Sequence, residues 1–140
     1  MNSTPPALFH LRLKSSLKQV HRVVRFLRKV NKVTHLDEEH FYRLLLSTSE
    51  AVNNAILHGN RSDEKKQVEV VCEIKSRVLI VRVSDEGNGF DTEKTPNPLR
   101  KNNKLRAGGR GIFLMKALMD DVTWKATKTG FTLQMKLRLK

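Results

Sequence analysis

Apolar and polar positions along this 140-residue chain recur with clear periods. Near the C-terminus, Phe131, Leu133, Met135, Leu137 and Leu139 alternate with Thr132, Gln134, Lys136 and Arg138. A two-residue period of this kind predicts a strand with one buried face. The same period predicts strands over Val68, Val70, Cys72 and Ile74, and over Leu79, Val81 and Val83. Shorter strands are expected from Leu8 to Leu13 and from Val122 to Ala126. Three stretches have helical spacing instead. Ser15 or Ser16 can cap a helix carrying Leu17, Val20, Val24, Leu27 and Val30. Asp37, followed by acids, opens a longer helix whose buried side is Phe41, Leu45, Val52 and Ile56, and His58-Gly59 stops it. A third helix, Ile112 to Leu118, follows Gly109-Arg110-Gly111. These elements make a single α+β domain without internal repeats, a two-layer sandwich with helices on one face of a sheet.

Composition narrows the class. A chain of this length buries roughly two thirds of its unfolded surface, so it needs no staples. Hydrophobic residues are 39% and charged residues 29%, the balance of a soluble globular protein. No run approaches the roughly 18 apolar residues of a membrane span, and the N-terminus lacks the basic-then-apolar order of a secretory signal. Cys72, the single cysteine, excludes a disulfide framework and a multi-cysteine zinc site, and a reducing cytoplasm is expected. Against 14 acids stand 27 Lys and Arg, a formal charge of +13 that favours anionic partners. The first 36 residues hold eight of these cations and no acid, and a second basic cluster runs from Arg100 to Arg110.

Three segments do not serve packing alone. In Glu50-Ala51-Val52-Asn53-Asn54-Ala55-Ile56-Leu57-His58-Gly59, the residues Glu50, Asn54 and His58 are spaced by four and share a helix face. Two adjacent asparagines inside a helix disagree with local propensity, a disagreement that tends to mark function. A carboxylate one turn from an amide suits a base beside a metal-binding oxygen. Read alone, the segment also fits an exposed polar stripe. In Asp85-Glu86-Gly87-Asn88-Gly89-Phe90, a strand-end acid precedes glycines that let backbone approach a ligand, although the same residues make ordinary turns. Gly108-Gly109-Arg110-Gly111 opens a helix, where free N–H groups and the dipole favour an anion and Lys104, Arg106 and Arg110 add charge. A flexible glycine-rich helix entry fits it equally well.

Taken together, E-x-x-x-N on a helix, D-x-G-x-G after a strand and G-x-G opening a helix resemble the nucleotide-binding fold of gyrase, heat-shock protein 90, sensor histidine kinases and MutL. Within that superfamily, EAVNNAILHGN, VSDEGNGFD and GGRGIFLMKALMDDV are similar to the anti-sigma-factor serine/threonine kinases of bacterial partner switching. The resemblance spans about residues 8 to 139. It implies a histidine-kinase-like ATP-binding domain of the Bergerat type over residues 1–140, with a mixed, mostly antiparallel sheet and an ATP lid at about 91–109. It also implies ATP and Mg²⁺ as ligands. By the same resemblance Glu50 is the catalytic base and Asn54 holds Mg²⁺. Asp85 binds the adenine amino group, with Gly87 and Gly89 shaping that pocket. Gly109 and Gly111 meet the phosphates, Arg110 is a further nucleotide-binding candidate, and Thr132 lies near the adenine. Partners implied are a sigma factor and a small anti-sigma-factor antagonist, and a homodimer through Leu8 to Val30.

The resulting expectation is a cytoplasmic protein kinase that phosphorylates the antagonist. The chain has no G-x-x-x-x-G-K-[ST], H-R-D or D-F-G signature of other nucleotide folds. The alternative is a non-catalytic module whose nucleotide gates capture of a protein. A nucleic-acid binder is set aside because the interleaved aromatics of a stacking platform are missing. Outside the site, His58 is expected to pack at a helix end, and Cys72 to be a core thiol.

Overall fold

A computed structural model describes residues 6–87 and 109–139. The elements in chain order are β1 (Ala7–Lys14), a 3-10 turn (Leu17–Gln19), α1 (His21–Thr34), α2 (Glu38–Asn54) and a π turn (Ala55–Gly59). They are followed by β2 (Gln67–Lys75), β3 (Val78–Asp85), α3 (Gly109–Leu118), β4 (Asp121–Thr127) and β5 (Gly130–Arg138). The strands form one sheet in the order β1-β2-β3-β5-β4. The expected two-layer α+β sandwich is present.

All four strand pairings are antiparallel, so the described strands contain no parallel pair. The reason is topological. Helix α3 carries the chain from β3 to β4, which run in the same direction but are not neighbours. Strand β5 returns from β4 and fills the slot between them, pairing antiparallel to both.

The two-residue period holds in every central strand. Val68, Val70, Cys72 and Ile74 of β2, Leu79, Val81 and Val83 of β3, and Phe131, Leu133, Met135 and Leu137 of β5 are buried. Val23, Phe26, Leu27 and Val30 of α1, Leu44, Ala51 and Val52 of α2, and Ile112 and Met115 of α3 are buried in the same core. Each large aliphatic side chain removed from water there contributes about 1.5–3 kcal/mol. Lys116 of α3 lies 5.4 Å over the ring of Trp124 on the edge strand β4. No helix among the described residues is long and apolar enough to cross a membrane.

Two helix details differ from the sequence expectation. Ser16 accepts from the Lys18 N–H at 3.3 Å, but it caps the 3-10 turn, and α1 begins only at His21. Three residues per turn instead of 3.6 shift the phase. The buried face of α1 is therefore Val23, Phe26, Leu27, Val30 and Thr34, while Leu17 is 51% exposed. In α2 the expected cap holds: Asp37 Oδ1 accepts the His40 N–H at 2.8 Å. The helix does end at Gly59, but its last turn is π, closed by the Asn60 N–H donating to the Ala55 carbonyl at 2.8 Å.

Candidate functional site

The site is built where the C-terminal half of α2 meets the start of α3 and the ends of β3 and β5. Glu50 and Asn54 are one turn apart and half-buried. Helix α3 crosses them at Gly111. A Cβ placed on Gly111 would lie 2.9 Å from Glu50 Oε1 and 3.0 Å from Asn54 Nδ2. Only glycine lets the first turn of α3 approach the carboxylate and amide so closely. That turn carries no acid, and its leading N–H groups have no partners within the helix. The positive end of a helix is thus set against a carboxylate–amide pair.

Asp85 closes β3 and is 7% exposed. Its Oδ1 accepts the Gly87 N–H at 3.0 Å, so the backbone at Gly87 curls around the carboxylate. The π turn presses on the other oxygen: a Cβ on Gly59 would fall 2.1 Å from Asp85 Oδ2. A Cβ on Gly130 would fall 2.6 Å from the Asp85 carbonyl oxygen. Gly59 and Gly130 therefore belong to the site, although in the sequence the first reads as a helix stop and the second as a turn. Their only sequence signal is glycine beside an element end, which many positions share.

Asn54 and Asp85 line the same small cleft, which is also bounded by Ala51, Ala55, Val83, Phe131 and Leu133. The cleft thus combines apolar walls with a carboxylate and an amide. Apolar walls with a few polar groups are the usual make-up of a small-molecule site. Two of the three sequence segments meet in the cleft, and the third abuts Asn54.

Thr132 is not brought there. It pairs with Ser84 across β3 and β5, and the two hydroxyls lie 2.8 Å apart. Strand alternation puts both on the face away from the helices. Phe131, paired with Asp85, occupies the position facing the cleft. His58 is neither packed nor in the site but exposed. Gly109 and Arg110 begin α3. Gly89, and all of the expected lid before Gly109, lie outside the described residues. Cys72 is a core thiol as expected, and burial pushes its pKa up to about 12.

Residues 13–137 match the family model of the histidine kinase-like ATPase domain, and the chain belongs to that family. Curated relatives include the serine-protein kinase RsbW of Oceanobacillus iheyensis, 35% identical over 85 residues that cover 56% of this chain and 54% of the relative. The serine-protein kinase RsbW of Staphylococcus epidermidis is 35% identical over 97 residues, covering 64% of this chain and 60% of the relative. The matched segments thus span little more than half the length of these relatives. Among solved structures, the RsbU and RsbW domains of Rv1364c from Mycobacterium tuberculosis superpose over 97% of this chain and 33% of that one. The TM-score is 0.70 at 21% identity. The histidine kinase domain of the Erythrobacter litoralis EL346 blue-light activated histidine kinase covers 86% of this chain and 60% of its own, with a TM-score of 0.58 at 19% identity.

Proposed function

We propose that this chain is an ATP-dependent protein serine/threonine kinase acting as an anti-sigma factor. It phosphorylates a small anti-sigma-factor antagonist and, in alternation, holds a sigma factor in the cytoplasm. The observation that carries this reading is the approach of Gly111 to within a methyl group of both Glu50 and Asn54, with Asn54 and Asp85 lining one cleft.

In this reading Asp85 accepts a hydrogen bond from the adenine amino group, held in place by Gly87, and Gly89 completes that loop by its match to the family motif. The N–H groups at Gly109 and Gly111 bind phosphate oxygens, and Arg110 adds positive charge. Glu50 takes the proton of an incoming seryl hydroxyl as its oxygen bonds to the γ-phosphorus and the bond to the leaving ADP oxygen breaks. The residue types also suit Mg²⁺, because the Asn54 amide and the Glu50 carboxylate, side by side at Gly111, each carry a hard oxygen of the kind that ion prefers. Asn54 would hold the ion beside the phosphates, where it supplies charge neutralisation. Transfer of this kind depends mainly on positioning and electrostatics, and the chain's part is to align the three groups.

A homodimer through Leu8 to Val30 belongs to the same proposal. Support for it comes from β1 being an edge strand and from Leu8 and Leu17, exposed at 69% and 51%.

The test is transfer of labelled γ-phosphate from ATP with Mg²⁺ and the cognate antagonist. Label in the antagonist is expected, and it should disappear in Glu50→Ala while nucleotide still binds. Stoichiometric nucleotide binding without any phosphoprotein would instead favour a nucleotide-gated capture module.

A further inference from the structure

We infer that Asn60 is a positioning residue that fixes Asp85 for base recognition. The inference rests on the proposed contact between Asp85 and the adenine amine. Asn60 directly follows the π turn and is 1% exposed. Its side-chain amide joins three segments that are distant in sequence. Nδ2 donates to Ser15 Oγ at 2.7 Å, just beyond β1, and to the Gln67 carbonyl at 3.0 Å, the first residue of β2. Oδ1 accepts the Glu86 N–H at 2.8 Å. Glu86 stands between Asp85 and Gly87, whose N–H binds the Asp85 carboxylate. The Asn60 amide therefore pins the turn that orients the carboxylate.

The network continues on both sides. Ser15 Oγ donates to the Lys66 carbonyl at 2.7 Å, and the Gln67 N–H donates to the Glu86 carboxylate. The backbone beside Asn60 is held away from its relaxed state. Arg61 and Ser62 have φ of 52° and 57°, a left-handed conformation that is strained for non-glycine residues and persists only where surroundings enforce it. The Asn60 side chain reaches both the β1 end and the Asp85–Gly87 turn.

Calorimetry on the full chain tests this with three ligands: ADP, purine riboside 5′-diphosphate, which lacks the 6-amino group, and inorganic tripolyphosphate. Wild type should prefer ADP over the purine analogue by roughly tenfold or more, the size of one charge-assisted hydrogen bond. In Asn60→Ala that preference should fall to within about threefold of unity, with tripolyphosphate affinity retained. If the preference survives in Asn60→Ala, or if all three ligands weaken equally, the inference is overturned. If wild type shows no preference, the assignment of Asp85 to the amine fails first. Should Asn60→Ala not fold, Ser15→Ala carries the same test by removing an acceptor of the amide. A reduced preference there supports the inference, and an unchanged one overturns it.

Discussion

Gly59 lies so close to Asp85 that a single added methyl would overlap the carboxylate, 2.1 Å from Oδ2. Two elements separated by a whole hairpin, the π turn and the tip of β3, thereby share one small volume. Gly59→Ala must displace either the carboxylate or the turn. ADP affinity should drop about tenfold or more, with a stability loss of about 1–3 kcal/mol. Calorimetry with a thermal melt checks both, and wild-type affinity in a folded Gly59→Ala protein would show that the carboxylate is not used.

Glu50 and Asn54 should separate by function. Glu50→Ala should lower phosphoryl transfer by roughly 10²–10⁴ and leave ATP binding nearly intact. Asn54→Ala should weaken nucleotide binding in Mg²⁺ by about tenfold or more while binding in EDTA changes little. Retained transfer in the first variant removes Glu50 from the base role. Unchanged Mg²⁺-dependent affinity in the second removes Asn54 from the metal role.

Thr132 bonds Ser84 on the far face of the sheet, whereas Phe131 faces the cleft. Thr132→Val should therefore keep ADP affinity within about twofold and cost about 0.5–1.5 kcal/mol of stability for the lost hydroxyl pair. Phe131→Ala should lose nucleotide affinity. Equilibrium binding of both variants decides it, and a large affinity loss in Thr132→Val would return that residue to the site.

The Cys72 thiol is held protonated by burial, up from 9.0 to about 12. Below about pH 9 the folded and unfolded chains both keep this proton. Between that pH and about 12 only the unfolded chain releases it, so stability falls as pH rises. Cys72→Val fills the same space without a titrating group and should lose less stability from neutral pH to pH 11. Denaturant unfolding at the two pH values measures the difference; parallel losses in both proteins would refute it.

Leu8 lies on the edge strand β1 and Leu17 on the 3-10 turn that follows it, and both are exposed. Leu8→Asp should convert a dimer to a monomer in light scattering and leave nucleotide affinity unchanged. A wild-type chain that is monomeric at all concentrations measured would remove the proposed dimer.

Period-two alternation made the sheet legible, because each central strand buries one face, and Asp37 marked α2 through a cap that forms as written. Glu50, Asn54 and Asp85 were singled out by the resemblance of three motifs taken together, since each segment read alone also fits a polar stripe or an ordinary turn. Three things were not legible. The 3-10 turn at Leu17 and the π turn at Ala55 change the residues per turn without any distinguishing composition, so the phase of α1 and the approach of Gly59 could not be read. Thr132 was misplaced because the motif match ignored the strand's own alternation, which already sets residue 131 with the buried face. Asn60 was invisible as a hub, since its three partners come together only in the folded chain.

The π turn has a consequence for how this segment can vary. Leu57 and His58 are exposed on it and are free to be exchanged for other side chains. Its residue count can change in one step. A π turn holds one residue more than an α turn over nearly the same rotation, so deleting Leu57 or His58 and closing the segment as ordinary α helix would leave the glycine near the aspartate and the asparagine near its three-way junction. Homologous chains should drift in spelling between residues 55 and 59 and, where they differ in length there, differ by a single residue.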